Sequence, residues 1–414
     1  MTLSVISVIG CRTASLEGGG EILPPPRQGR GPDLPRQASA AIQVDLDRLP
    51  ILDPRTMAVT PRPETVRGLT ETDCWYAAVA FPPPPDLFEP GFAQPWLDPA
   101  ACQNCGEATK ALLRDARESI DAATRNTAAG LALEDFYRLA DVEARAELLR
   151  SALATLEELQ QRTEEARGLG VSVPVLPEDL DRQRLSLLRL LYQSELGLQL
   201  LNIRLKRRMA LPGTMPERLW PKFLPEITVE PIDVAGEIQR ALSQRPDLRL
   251  LRMLYLRLDP ETLPAVREIL HSRLDRREAP ARPLSGLILG LLAERRRFSE
   301  YDAVARAEVA VLRQQLADLI ALRERQTADE IRSVAAILST QLRHIAIARW
   351  NLEQLRGKAA SPSSGVLAQL AAKLEAAQAE IELIEAVMAW HQAKLRLRIT
   401  RGEFAQPPSS SPVS

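Results

Sequence analysis

Ala303–Arg356, AVARAEVAVLRQQLADLIALRERQTADEIRSVAAILSTQLRHIAIARWNLEQLR, contains neither glycine nor proline. The two strongest helix breakers are thus missing from a run of roughly 54 positions, which as a single helix would be about 80 Å long at 1.5 Å per residue. One apolar stripe runs Leu312, Leu316, Leu319, Arg323, Gln326. A neighbouring one continues Ile331, Val334, Leu338, Gln341, Ile345, Ala348, Leu352, Leu355. Steps of three and four put side chains on one helix face, and sustained over several heptads they predict a coiled-coil seam. Gly357–Gly365 (GKAASPSSG) supplies a turn. Leu367, Leu370, Leu374, Ala377, Ile381, Ile384, Met388, His391, Leu395 and Arg398 then return at the same spacing.

The same layout occurs upstream. From about Glu107 the chain turns helical, and Leu139, Val142, Ala146, Leu149, Leu153, Leu156, Gln160 and Thr163 form an unbroken heptad seam. Gly168, Leu169, Gly170, Val171, Ser172, Val173, Pro174 and Val175, with Pro177 just beyond, break it. Glu178 and Asp179 behind Pro177 suit a helix N-terminus. The return helix carries Leu180, Arg184, Leu187, Leu191, Ser194, Leu198, Leu201 and Leu205. It also carries a second stripe: Leu185, Leu188, Tyr192, Leu196, Leu200 and Ile203. Two apolar stripes on one helix call for neighbours on two sides, as in a buried bundle helix or a stave of a larger helical wall.

The expected fold is all-α, two long antiparallel coiled-coil helical hairpins in tandem at 107–212 and 303–402. A connector at 213–302 joins them, with a helix pair split at Arg245-Pro246-Asp247 and helix-like text at Thr262–Leu274. Ile227-Thr-Val229 could add a strand turn, and 403–414 reads as a tail. Residues 12–106 are rich in proline (Pro24-Pro-Pro26, Pro82-Pro-Pro-Pro85) and read as an extended tether, with one short helix in Thr70–Ala80. Residues 1–11 end in Val8-Ile9-Gly10-Cys11, which has the form of a lipobox with Cys11 as the lipidated residue; an accidental apolar start is the other reading.

Composition excludes several classes. With 53 basic against 54 acidic residues there is no electrostatic footprint for nucleic acid. No apolar run reaches 18 residues, so no helix is expected to span a bilayer. Aromatics are only 4 %, while Ala, Leu, Glu, Arg and Gln dominate, which favours long helices over several globular units.

The duplicated hairpin layout, with Ala241-Leu-Ser-Gln-Arg-Pro-Asp-Leu-Arg249 between the copies, resembles the TolC-type outer-membrane efflux family. Ala132-Leu-Glu-Asp-Phe-Tyr137, the return helix ending at Arg204–Pro212, and Lys394–Gly402 carry the likeness, over about 130–258 and 303–402. The resemblance implies a TolC-like helical body, a homotrimer forming a conduit or docking collar, and transport without catalysis or cofactor. It also implies a periplasmic adaptor meeting the tip Gly168–Val175 (with Gly357–Gly365 as second tip) and an inner-membrane pump beyond the adaptor. The family's membrane β-hairpins, with their alternating strands, find no counterpart in the text of 12–110 or 259–302. A lipid anchor at Cys11 would then hold the chain at the periplasmic face of the outer membrane. A lipid-anchored periplasmic coiled-coil scaffold or adaptor without transport is the alternative.

Sites for chemistry are sparse. His344 and His391 fall on helical seams and read as structural; with His271 they complete the histidines, and no zinc, Walker or dinucleotide motif is present. Gly18-Gly-Gly20 is linker. Cys102-Gln-Asn-Cys105 could form a disulfide together, pair with Cys74, or remain thiols; one pair cannot complete a metal site.

Overall fold

Two helices of equal length set the frame. In the computed structural model, which describes residues 66–80, 105–173, 176–211, 217–223, 227, 232–274, 298–361 and 365–406, α2 (Glu107–Gly168) and α7 (Phe298–Ala359) each run 62 residues, about 93 Å at 1.5 Å per residue. Each turns at its C-terminal end into a shorter partner, α3 (Pro177–Arg208) or α8 (Val366–Arg401). The two predicted hairpins are both present, as α2–α3 and α7–α8. Helix α7 begins before Ala303 and passes through Gly357, because one glycine near a helix end costs only about 1 kcal/mol.

The remaining elements gather near the open end of the hairpins. β1 (Val66–Leu69) pairs in parallel with β2 (Arg218–Pro221), and α1 (Glu71–Ala80) packs on α2. Thr70 and Asp73 form a reciprocal capping box: Asp73 N–H donates to Thr70 Oγ1 at 3.1 Å, and Thr70 N–H to Asp73 Oδ2 at 3.0 Å. Leu69, Cys74 and Ala78 are buried in the core, so this part of the range read as a tether belongs to the folded body. The connector holds α4 (Val234–Gln244), α5 (Pro246–Leu256) and α6 (Leu263–Leu274). Asp233 caps α4 by accepting from Gly236 N–H, and Pro246 opens α5, as the Arg-Pro-Asp spacing predicts. The strand expected near Ile227 is not formed at that residue; Thr228 and Val229 lie outside the described residues.

The tail expected from residue 403 begins later than the sequence suggests. Gly402, in the left-handed region at φ 77°, caps α8 and turns the chain into a single 3-10 turn, Glu403–Ala405. Phe404 is fully buried, and Asn126 of α2 grips the turn from both sides: its Nδ2 donates to Ile399 O and its Oδ1 accepts from Phe404 N–H. A Cβ at Gly402 would lie 3.1 Å from Pro246 Cδ, so left-handed backbone and close approach both demand glycine here.

Along the hairpins the neighbours are α3 with α2, α2 with α8, and α8 with α7. The order across the wall is therefore α3–α2–α8–α7. Helix α8 is buried on two sides: Ile384, Met388 and Leu395 pack toward α2, while Ala376, Ala379, Leu383, Val387 and Leu397 share a core with α7. Two-sided burial thus falls on α8 and α2, not on α3, where the double stripe suggested it.

Candidate functional site

No catalytic constellation forms among the described residues. Among the described residues no group of three or more His, Cys, Asp or Glu could hold a metal, and no helix is long and apolar enough to cross a membrane. Cys74 is a buried free thiol donating to Ala132 O at 3.3 Å; burial and then the nearby carboxylates of Asp135 and Glu71 push its pKa far up, which makes it inert. Cys105 is disulfide-bonded, and since Cys74 is free the pairing with Cys74 falls away. Cys11 and Cys102 lie outside the described residues. His391 is buried against Tyr137 and Phe223 as a seam residue should be, and burial, then Lys394, lowers its pKa to about 3. His344 instead faces outward, beside an open groove of about 430 Å³ on the α7–α8 seam lined also by Gln341, Glu382 and Glu385.

What the fold does present is exposed apolar surface, first at the tip. Helix α2 ends in a Schellman turn: Val171 N–H donates to Ala166 O and Gly170 N–H to Arg167 O, with Gly170 at φ 75°. That geometry holds Leu169 and Val171 out in solvent, at 82 % and 55 % exposed, with Leu176 on the far side. Gly168, Ser172 and Val173 complete the described part; Pro174 and Val175 lie outside it. Pro177 then restarts the helix, with Glu178 and Asp179 in its first turn. The second tip, from Ala360 to Gly365, shows no comparable apolar loop among its described residues, although Val366 just beyond it is exposed.

The second surface is the pair of outer edges. On α3, Leu180, Leu187, Leu198, Leu201 and Leu205 are buried toward α2. Half a turn round the same helix, Leu185, Tyr192, Leu196, Leu200 and Ile203 are more than half exposed. On α7 the situation mirrors this: Ile331, Val334, Leu338, Ile345 and Leu352 face α8, and Val304, Val311, Leu322 and Ile347 lie exposed on the opposite side, with Trp350 beside them. Fully burying side chains of this size stabilises by about 1.5–3 kcal/mol each, so two such stripes are a large unsatisfied hydrophobic term. Sequence reading finds the α3 stripe. It misses the one on α7, whose members are far apart and separated by Ala336, Thr340 and other small or polar residues.

No family model and no curated protein matches the sequence. Several solved structures are similar to it. The CmeC outer membrane channel of Campylobacter jejuni is 10 % identical, over 73 % of this chain and 69 % of that one, with a TM-score of 0.47. The MtrE outer membrane channel of Neisseria gonorrhoeae, in its open state, is 12 % identical over 73 % of each chain, with a TM-score of 0.48. The outer membrane protein VceC of Vibrio cholerae is 13 % identical, over 71 % of this chain and 75 % of that one, with a TM-score of 0.45.

Proposed function

We propose that the chain is a wall segment of a multi-copy helical conduit of the TolC type, acting in efflux or secretion at the outer membrane by providing a passage and carrying out no reaction. The observation that carries this reading is the four-helix wall with a continuous apolar stripe on its α3 edge and scattered exposed apolar side chains on its α7 edge, each half a turn away from the internal seam. A self-contained scaffold has no use for two such edges. A ring of copies buries both, because a head-to-tail contact between different faces closes on itself when the rotation allows. Three copies is the number the sequence resemblance implies. In this reading Leu169 and Val171 at the first tip receive a periplasmic adaptor, with an inner-membrane pump beyond it, and Cys11 carries a lipid that anchors the assembly.

Electron micrographs of the full chain extracted from membranes test the reading: a hollow tube about as long as α2 is expected, and solid rods or single copies would overturn it in favour of a scaffold. Val171→Asp is expected to abolish cross-linking to the adaptor while leaving the tube intact. Cys11→Ser is expected to release the protein from the membrane fraction.

A further inference from the structure

We propose that α1 is a releasable clasp, pivoting on β1 and latched by Glu71, that closes over the junction of α2 with the end of α8. The chain immediately before it is fixed: β1 is paired along β2 at four positions, and Lys222 N–H donates to Leu69 O at 2.7 Å. The capping box of Thr70 and Asp73 is local to α1, so the helix keeps its first turn whether or not it lies on the body. The buried residues of α1 are small, Cys74 and Ala78, and they lie against α2.

The latch is one carboxylate that serves both hairpins. Glu71 accepts from the Tyr137 hydroxyl of α2 at 3.0 Å and from Arg398 Nη1 of α8. Trp75 adds an edge-to-face contact with Phe404, at 5.3 Å between ring centroids. Both sides can do without the latch. Arg398 Nε keeps Glu403 at 2.8 Å, its guanidinium lies over the Phe404 ring, and Arg401 joins Glu403 to Glu237 of α4. Arg398 is therefore not stranded when Glu71 leaves, and the Tyr137 hydroxyl can turn to water. The closed clasp, in turn, holds Trp75 Nε1 buried with no hydrogen-bond partner among the described residues, a cost that release removes. Small burial, one charged latch and an unsatisfied donor together make a unit of low local stability on a stable frame.

Cys74 reports on the clasp from beneath it, because its thiol donates to Ala132 O of α2. In the full chain, its modification by N-ethylmaleimide is read by peptide mass spectrometry, beside hydrogen exchange over α2 and α8. Glu71→Gln is expected to speed modification about tenfold or more, the weight of one charge-assisted hydrogen bond, with exchange in α2 and α8 unchanged. Arg401→Gln, which cuts the network beyond Arg398, is expected to leave Cys74 protected. Modification as slow in Glu71→Gln as in the wild type would overturn the latch. Faster modification accompanied by faster exchange throughout α2 and α8 would overturn the clasp, since α1 would then be part of the core. Equal exposure of Cys74 in Arg401→Gln would do the same, by making the whole network one structural unit. None of these results bears on the conduit reading, which does not use α1.

Discussion

The two hairpins are copies in length and opposites in how they are held. Buried charge recurs along α2 at regular intervals: Asp135 with Arg204 and Arg208 of α3, Glu143 with Arg218 of β2, and Arg150 with Glu195 of α3. Those three positions on α2 recur about every two turns and are nearly or fully buried. The α7–α8 seam has no buried ion pair among the described residues; Ile331, Val334, Leu338, Ile345 and Leu352 close on Ala376, Ala379, Leu383 and Val387. Apolar seams stabilise but tolerate slippage, whereas a buried charge with no partner is costly, so a shift of α3 along α2 would strand Asp135 and Arg150. Buried charges are the better-attested device where register matters more than stability. The hairpin with the apolar tip and the continuous edge stripe is the one so held.

The largest expected effect follows from breaking that ladder. Arg218→Ala leaves Glu143, which has no exposed surface, without its hydrogen-bonded partner among the described residues, and should cost about 3–5 kcal/mol in urea unfolding. Burial already raises the Glu143 pKa against the pull of Arg218. The cost should therefore shrink as pH falls and the carboxyl takes up a proton. A loss of under about 1 kcal/mol, as for an exposed pair such as Arg182–Asp179, would show that the ladder is ornamental.

In the second hairpin Ile345→Ala should cost about 2–4 kcal/mol from the lost contacts and the cavity left behind, with no such pH dependence. Equal pH sensitivity in the two variants would erase the contrast between the seams.

His391 sits where the hairpins meet, between Tyr137 of α2 and Phe223. Its pKa is lowered to about 3 in the fold, by burial first and Lys394 second, from 6.5 in the open chain. Between those values the unfolded chain binds the proton and the folded one does not. Stability is thus whole above pH 6.5 and falls on acidification, by at most about 1.4 kcal/mol per pH unit from this residue. His391→Phe should flatten that part of the acid limb; an unchanged slope would remove His391 from the account.

The smallest effect concerns Ala210, which closes α3 at φ 51° with Leu211 N–H donating to Lys206 O. Ala210→Gly relieves a left-handed alanine and should stabilise the first hairpin by about 0.5–1 kcal/mol in thermal unfolding.

The contrast between the seams also separates what the sequence reveals from what it conceals. Heptad leucines make both hairpins legible, helped by the glycine- and proline-free run Ala303–Arg356 in the second and by Gly170 and Pro177 at the tip of the first. The second stripe of α8 escapes notice because Ala376 and Ala379 look like helix filler until α7 packs on them. β2 escapes because Arg-Leu-Trp-Pro has neither alternation nor length. It is a strand because it pairs with β1, with Leu69 O accepting from Lys222 N–H just beyond it and Asn202 Oδ1 of α3 accepting from Leu219 N–H. The ion ladder is invisible for a related reason: Arg218 lies far from Glu143 in sequence, and charges on a heptad helix read by default as solvated. Phe404 could have been anticipated from Gly402, a glycine placed just past a helix end.

The account stands or falls on the open edges. The most direct measurement is the mass of the full-length chain by sedimentation equilibrium, beside Leu196→Asp/Ile203→Asp, two changes confined to the outer face of α3. The wild type should sediment as a multi-copy assembly and the double variant as a single folded copy with unchanged helix content. If both have the same mass, whether one copy or several, the α3 stripe is not an assembly surface and the wall does not close through it.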